Sequence, residues 1–193
     1  WSGTDYLGNL YSSTVEDPTG LKAGIYDLVV TDQNGCTASL SDVVINQPPD
    51  LTVTLQDQVN VLCYNGTNGE IDVTVTGGVI PAGGYIYSWT GADYLGTYFA
   101  SSSEDLTGLK AGTYNLAVRD NNNCIVTLST VTITQPPQFT VIRDNQVNIL
   151  CHDGATGEIN VTVSGGVIPA EVTYSNGQGL ITLVILSAVP MKI

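Results

Sequence analysis

The chain has 193 residues, 42% of them hydrophobic, which is too apolar for wholesale disorder and enough to fill one large core or two small ones. Only 12% are charged, yet 18 acidic residues against 5 basic ones leave a net charge of -13. That balance argues against nucleic acid and anionic membrane surfaces as partners, because basic patches supply the affinity for both.

The chain shows no initiator Met, signal peptide or bilayer-length apolar run. It opens at Trp1 inside a unit that later recurs, so the expectation is an excerpt or processed piece of something longer. WSGTDYLG at Trp1 returns as WTGADYLG at Trp89, and EDPTGLKAGIYDL at Glu16 returns as EDLTGLKAGTYNL at Glu104. The turn Asp32-Gln33-Asn34-Gly35 before Cys36 returns as Asp120-Asn121-Asn122-Asn123 before Cys124. Gln47-Pro48-Pro49 returns as Gln135-Pro136-Pro137, and the 24 residues from Val59 return from Val147, always 88 residues on and without an insertion. The register holds to Ala170 and then fails. Such self-similarity is the mark of a repeat architecture.

A proline doublet stops strand pairing and stiffens a connection, so the QPP triplets read as joints. They divide the chain into the late part of a repeat at 1–49, a complete repeat at 50–137, and the early part of another at 138–193, divergent from about 171. Within the complete repeat, period-two alternation marks strands. Ile71, Val73 and Val75 share a face, followed by Tyr85, Tyr87 and Trp89, then Tyr114, Leu116 and Val118, then Val131 and Ile133. Gly77-Gly78 and Asn121–Asn123 supply turns. No segment has a helical period, and the expected fold is all-β: tandem immunoglobulin-like, Greek-key β-sandwiches with an 88-residue period. LKAGTY, ending at Tyr114, has the form of a tyrosine corner, and LKAGIY places Tyr26 in the same position. The apolar run Leu180–Leu186 is strand-sized.

The ordered set C-x-x-G-x-x-G-x-I-x-V-x-V-x-G-G from Cys63 to Gly78, Tyr87-x-Trp89, L-x-A-G-x-Y-x-L-x-V-x-D from Leu109 to Asp120, Cys124 and QPP resembles the SprB-type repeat. The resemblance covers residues 1 to about 170. It implies a very large surface protein of the Bacteroidota, such as a gliding adhesin exported by type IX secretion, with an extracellular, cell-surface location and an adhesive or stalk role. It carries no ligand site, because the shared positions are turns, core residues and cysteines.

In an exported protein, regularly placed cysteines suggest disulfides. One pairing joins Cys63 to Cys124 within the repeat, closing a loop worth roughly 4 kcal/mol on chain-entropy grounds. The other joins Cys36 to Cys63 and Cys124 to Cys151 across the joints. Zinc is disfavoured, since no C-x-x-C is present and His152 stands where the complete repeat has Tyr64.

No Ser/His/Asp set or phosphate-binding glycine pattern can be assembled, so no catalytic or cofactor-binding residue is expected and the chain reads as non-enzymatic. Glu104-Asp105, like Glu16-Asp17, reads as a solvated loop rather than a glycosidase dyad, since neighbours on a strand point to opposite faces. Asp32 and Asp120, in oxygen-rich turns, are calcium candidates, although the EF-hand spacing is missing. Lys22 and Lys110 raise an isopeptide cross-link, with an exposed lysine as the plain reading. Trp89, Tyr85 and Tyr87 would stack a sugar if exposed, but their alternation places them in a core.

The structural positions are therefore Trp1, Trp89, Tyr26, Tyr114, Pro48, Pro49, Pro136 and Pro137. Expected partners are neighbouring repeats of the same protein, surface glycans, or further copies joined head to tail into a fibre. The last arises because 138–176 and 1–49 hold complementary parts of one repeat. A carbohydrate-binding module of a polysaccharide-utilisation system is the alternative function.

Overall fold

The structure is a computed structural model that describes residues 1–167 and the backbone of 172–175, 180–183 and 191–192. All sheets among these residues are antiparallel, and no helix is long and apolar enough to cross a membrane. The chain forms two compact units, one of Trp1–Asp50 with Gly77–Val79, the other of Leu51–Thr76 with Ile80–Ile193. The residues on either side of the 135–137 joint fall together in the second.

The first unit holds β1 (Ser2–Asp5), β2 (Leu10–Ser12), β3 (Gly24–Thr31) and β4 (Thr37–Ile45) in one sheet of order β2-β1-β3-β4. In the second unit, β5 (Thr52–Val59), β6 (Gly69–Thr76), β7 (Ile86–Asp93), β8 (Tyr98–Ser101), β9 (Leu106–Leu109), β10 (Gly112–Arg119) and β11 (Ile125–Ile133) make two sheets. One is β5-β6-β9 and the other β11-β10-β7-β8, so the chain changes sheet after β6, after β8 and after β9. Beyond the second joint, β12 (Thr140–Val147) and β13 (Glu158–Ser164) pair as a hairpin. The sheet continues with β16 (Met191–Lys192), and β14 (Val172–Ser175) pairs with β15 (Leu180–Leu183). The first four residues of the expected strand Leu180–Leu186 are β15; 184–186 lie outside the described residues.

The alternating residues of residues 50–137 meet in one two-layer core. Ile71 and Val73 of β6, with Leu106 and Leu109 of β9, pack on Trp89 of β7, Tyr114, Leu116 and Val118 of β10, and Val131 and Ile133 of β11. A bulge in β11 keeps this face aligned, because Tyr114 pairs with Val131 while Leu116 pairs with Leu128. Trp89 is buried with its Nε1–H donating to the carbonyls of Ser103 and Glu104, both at 3.1 Å, which ties the chain before β9 to the core. Gly112 is required by close approach, since a Cβ there would run into the Ala92 carbonyl.

The first sheet repeats this frame, and among the described residues its unit holds no second sheet. β3 and β4 have the bounds of β10 and β11 shifted by 88 residues, including the bulge, which falls between Tyr26 and Leu28. Its inward-type face is covered unevenly: Val30 is 54% exposed where Val118 is 0% exposed, while Tyr26 is buried as Tyr114 is. Each Leu or Val side chain removed from water contributes about 1.5–3 kcal/mol, and that term differs between the two copies of the same strand. Leu116→Ala should therefore cost about 2–5 kcal/mol in urea unfolding followed by Trp89 fluorescence. Leu28→Ala in dilute solution should cost a small fraction of that; equal losses would contradict the uneven cover.

Candidate functional site

Sequence alone marks no cleft with convergent chemistry, and the structure places its marked residues in three groups. The first lies where the complete repeat meets its outgoing joint. Val61 N–H donates to the Thr134 carbonyl at 2.9 Å, Thr134 N–H to Asn60 Oδ1 at 2.8 Å, and Gln58 Nε2 to the Thr132 carbonyl at 3.2 Å. These bonds lace the end of β5 to the end of β11. The turn Cys63–Gly66 closes by a Gly66 N–H bond to the Cys63 carbonyl, with Asn65 at φ 64°, and Asn65 N–H reaches Gln135 Oε1 at 2.9 Å. Tyr94 donates its hydroxyl to Asn65 Oδ1 and lies tilted against Tyr64 at 6.1 Å. The C-x-x-G spacing is thus a turn, and the Gln of QPP is part of its anchorage.

Each joint is held again by the Gly-Gly turn that follows it. Gly78 N–H donates to the Pro49 carbonyl and Gly166 N–H to the Pro137 carbonyl, both at 2.9 Å. Gly165 has φ 74°, and a Cβ on it would collide with the Gln138 carbonyl, so only glycine fits. The prolines, Pro48, Pro49, Pro136 and Pro137, leave no N–H to be satisfied in these connections.

The second group is the tip of the β10–β11 hairpin. Asp120 is buried, 2% exposed, and its Oδ1 accepts the N–H groups of Asn122 at 2.9 Å and Cys124 at 2.8 Å. Asp32 makes the same bonds to Asn34 and Cys36. The calcium candidates therefore serve as staples across their own turns, an Asx role that the oxygen-rich sequence does not distinguish from metal binding. The described residues contain no group of three or more His, Cys, Asp or Glu side chains placed to hold a metal.

The expected Cys63–Cys124 disulfide needs correcting. All four cysteines are exposed and free. Cys63 lies in the turn beside Thr134 and Gln135, whereas Cys124 closes the hairpin at the opposite end of β11. Nine strand residues separate those ends, about 26 Å, against the roughly 6 Å between Cα atoms that a disulfide tolerates.

The tyrosines make the corner geometry. Tyr114 donates to the Lys110 carbonyl and Tyr26 to the Lys22 carbonyl, each at 2.8 Å. Lys110 and Lys22 are not free amines awaiting a cross-link. Lys110 Nζ lies 3.5 Å from Asp93 and Lys22 Nζ 3.7 Å from Asp5. Hydrogen bonds, led by the Thr97 N–H, hold the Asp93 carboxyl below its ordinary value; Asn9 does the same for Asp5. A carboxylate kept ionised is a poor acyl electrophile. Trp1 donates from Nε1 to the Glu16 carbonyl at 3.0 Å, while Trp89 is in the core with Tyr85 and Tyr87 packed against it, so this set offers no sugar platform.

The third group was missed in the sequence. Asp105 is an exposed bend residue, as read from the sequence, whose Oδ1 also accepts Val73 N–H at 3.0 Å, and it sits with Asp72, Asp57 and Glu104 in one acidic patch. Partial loss of hydration, then the charge of Asp105, raises the Asp72 carboxyl. Tyr87 is pushed up by burial and by its bond to Glu104. The pairing of β6 with β5 on one side and β9 on the other creates this patch, and no spacing rule encodes it. His152 is exposed, 3.0 Å from its neighbour Asp153.

The family comparison reads the same stretch of backbone. The SprB repeat model matches residues 55–93 and 143–179, spanning β5 to β7 and the corresponding segment 88 residues on. The chain carries SprB repeats. The matched stretch holds the Cys63 turn, β6 and the Gly-Gly turn, so what the SprB match describes here is turns and core. No curated protein and no solved structure matches the chain.

Opposite pH responses should separate the aspartates of this SprB pair. Asp93 has a lowered folded value, so its stabilisation is present above the ordinary 3.8 and is lost as pH falls through the lowered value. Asp93→Asn should lower the melting temperature at pH 7, with the deficit closing at strongly acid pH. Asp72 has a raised folded value, so its penalty grows as pH rises from 3.8 through the raised value. Asp72→Asn should raise the melting temperature at pH 7 and not at pH 3; the reverse order would refute both assignments. Separately, Tyr114→Phe should cost about 1 kcal/mol in urea unfolding, the worth of one buried hydrogen bond.

Proposed function

We propose that the chain is a structural and adhesive segment of a large extracellular, cell-surface protein, in which immunoglobulin-like SprB modules stand in tandem as a stiff stalk. The observation that carries this reading is the treatment of the joints. The carbonyl of the second proline at each joint, Pro49 and Pro137, is hydrogen-bonded by a Gly-Gly turn, and Gln135 is tied into the Cys63 turn. A proline doublet already restricts the connection, and these bonds restrict it further. The acidic surface adds repulsion between neighbouring arrays. On this reading the role is mechanical and non-enzymatic, and gliding or attachment is the setting that such a stalk serves.

Small-angle scattering and single-molecule pulling of the chain test the proposal. Replacing Pro136 and Pro137 by glycine should shorten the mean end-to-end distance and broaden its distribution, while leaving the unfolding force of residues 50–137 unchanged. An unchanged distribution would remove the stiffness argument. Micromolar binding on a glycan array by the unmodified chain would favour the carbohydrate-binding alternative instead.

A further inference from the structure

The chain enters the complete module along β5 and leaves it along β11, and these two strands belong to different sheets. Their bonds to each other fix their relative direction. Gln58 reaches Thr132, and Asn60 and Val61 reach Thr134, so position rises along both segments together and both run toward the same end of the sandwich. Thr52, where β5 starts, and Ile133, where β11 stops, therefore lie at opposite ends of the module. Tension along the chain pulls these two points apart and drags β5 backward past β11.

What resists that sliding is mostly side chain. Val61 N–H to the Thr134 carbonyl joins backbone to backbone. The other two bonds are carried by amides, Gln58 Nε2 donating at 3.2 Å and Asn60 Oδ1 accepting at 2.8 Å. All cross one seam within a few residues, so sliding strains them together, whereas a hairpin peeled from its open end loses its bonds one at a time. The repeat itself singles these amides out. Thr54-Leu55-Gln56-Asp57 becomes Ile142-Arg143-Asp144-Asn145 in the next repeat, with every residue changed, while Gln58-Val59-Asn60 returns unaltered as Gln146-Val147-Asn148. Asn60 is exposed, so burial in a core does not account for its return.

We propose that Gln58 and Asn60 are force-bearing residues, whose amides lock β5 to β11 in shear and set the tension at which residues 50–137 unfold. The inference rests on the stalk reading, since only a chain under load uses such a lock. The two fail separately: stiffness is read from the end-to-end distribution of the folded chain, and the lock from the unfolding of one module.

Constant-force pulling of the full chain tests this, with the unfolding of residues 50–137 recognised by an extension gain of up to about 300 Å, at roughly 3.4 Å per residue. Forced unfolding follows the unfolding rate, which responds to bonds that break before the barrier. Gln58→Ala combined with Asn60→Ala should raise that rate at least about tenfold. Tyr114→Phe loses a bond to Lys110 that does not cross the seam, so it should stay within about twofold of the parent under load while still weakening the module in urea. Asn60→Asp keeps an acceptor for the Thr134 N–H and should unfold at least about threefold more slowly than Asn60→Ala, a comparison that decides the matter even if the double variant does not fold. A double variant that unfolds at the parent's rate, a Tyr114→Phe module that speeds up as much as the double variant, or equal rates for Asn60→Asp and Asn60→Ala would each overturn the proposal.

Discussion

A β-sheet with one apolar face is stable only when that face is covered, and this requirement organises the whole molecule. In residues 50–137 the cover comes from within. Ile71 and Val73 lie over Leu116 and Val118, and the indole of Trp89 fills the space between while its N–H holds the chain leading into β9. The same strand sequence without a second layer leaves Val30 in water. Local pattern is therefore sufficient to build each sheet and its bulge, because the first sheet forms both, but it is not sufficient to build a core.

The all-β class was legible because alternation at Ile71, Val73 and Val75 and at Tyr114, Leu116 and Val118 has a direct geometric meaning: neighbouring side chains on a strand point to opposite faces. The tyrosine corner was legible for a similar reason, since its hydrogen bond spans only four residues. The errors have a common origin in long-range direction. Cys63 and Cys124 look like partners within a repeat, but β11 runs the full length of the sandwich between their positions. Asp105 is the loop residue it looks like, but the pairing of β9 with β6 also brings it to the Val73 amide, which the sequence does not show. Asp120 sits in an oxygen-rich turn of the kind that suggests a cation, and its two N–H bonds show a turn-closing role that residue types alone do not reveal.

In the proposed stalk, the joints are the segments that would transmit length. Proline limits the backbone torsions, and a hydrogen bond from a glycine some thirty residues later limits what remains. The glycines are chosen for their backbone, since Gly165 occupies the left-handed region and has the Gln138 carbonyl against it. A motif such as G-G or C-x-x-G is often read as a site for chemistry. In the SprB repeat its content is geometric, and the side chains it specifies are mostly the ones that leave room.

The hairpin tips carry a different consequence. Because one carboxylate oxygen grips the chain at both sides of the turn, the residues enclosed by that grip contribute little to holding it shut. The two tips already differ, Gln-Asn-Gly in one and Asn-Asn-Asn in the other, on hairpins of the same length. An array of such modules can therefore display a different outward-facing tripeptide at every step while its scaffold stays constant, separating what the surface presents from what keeps it folded.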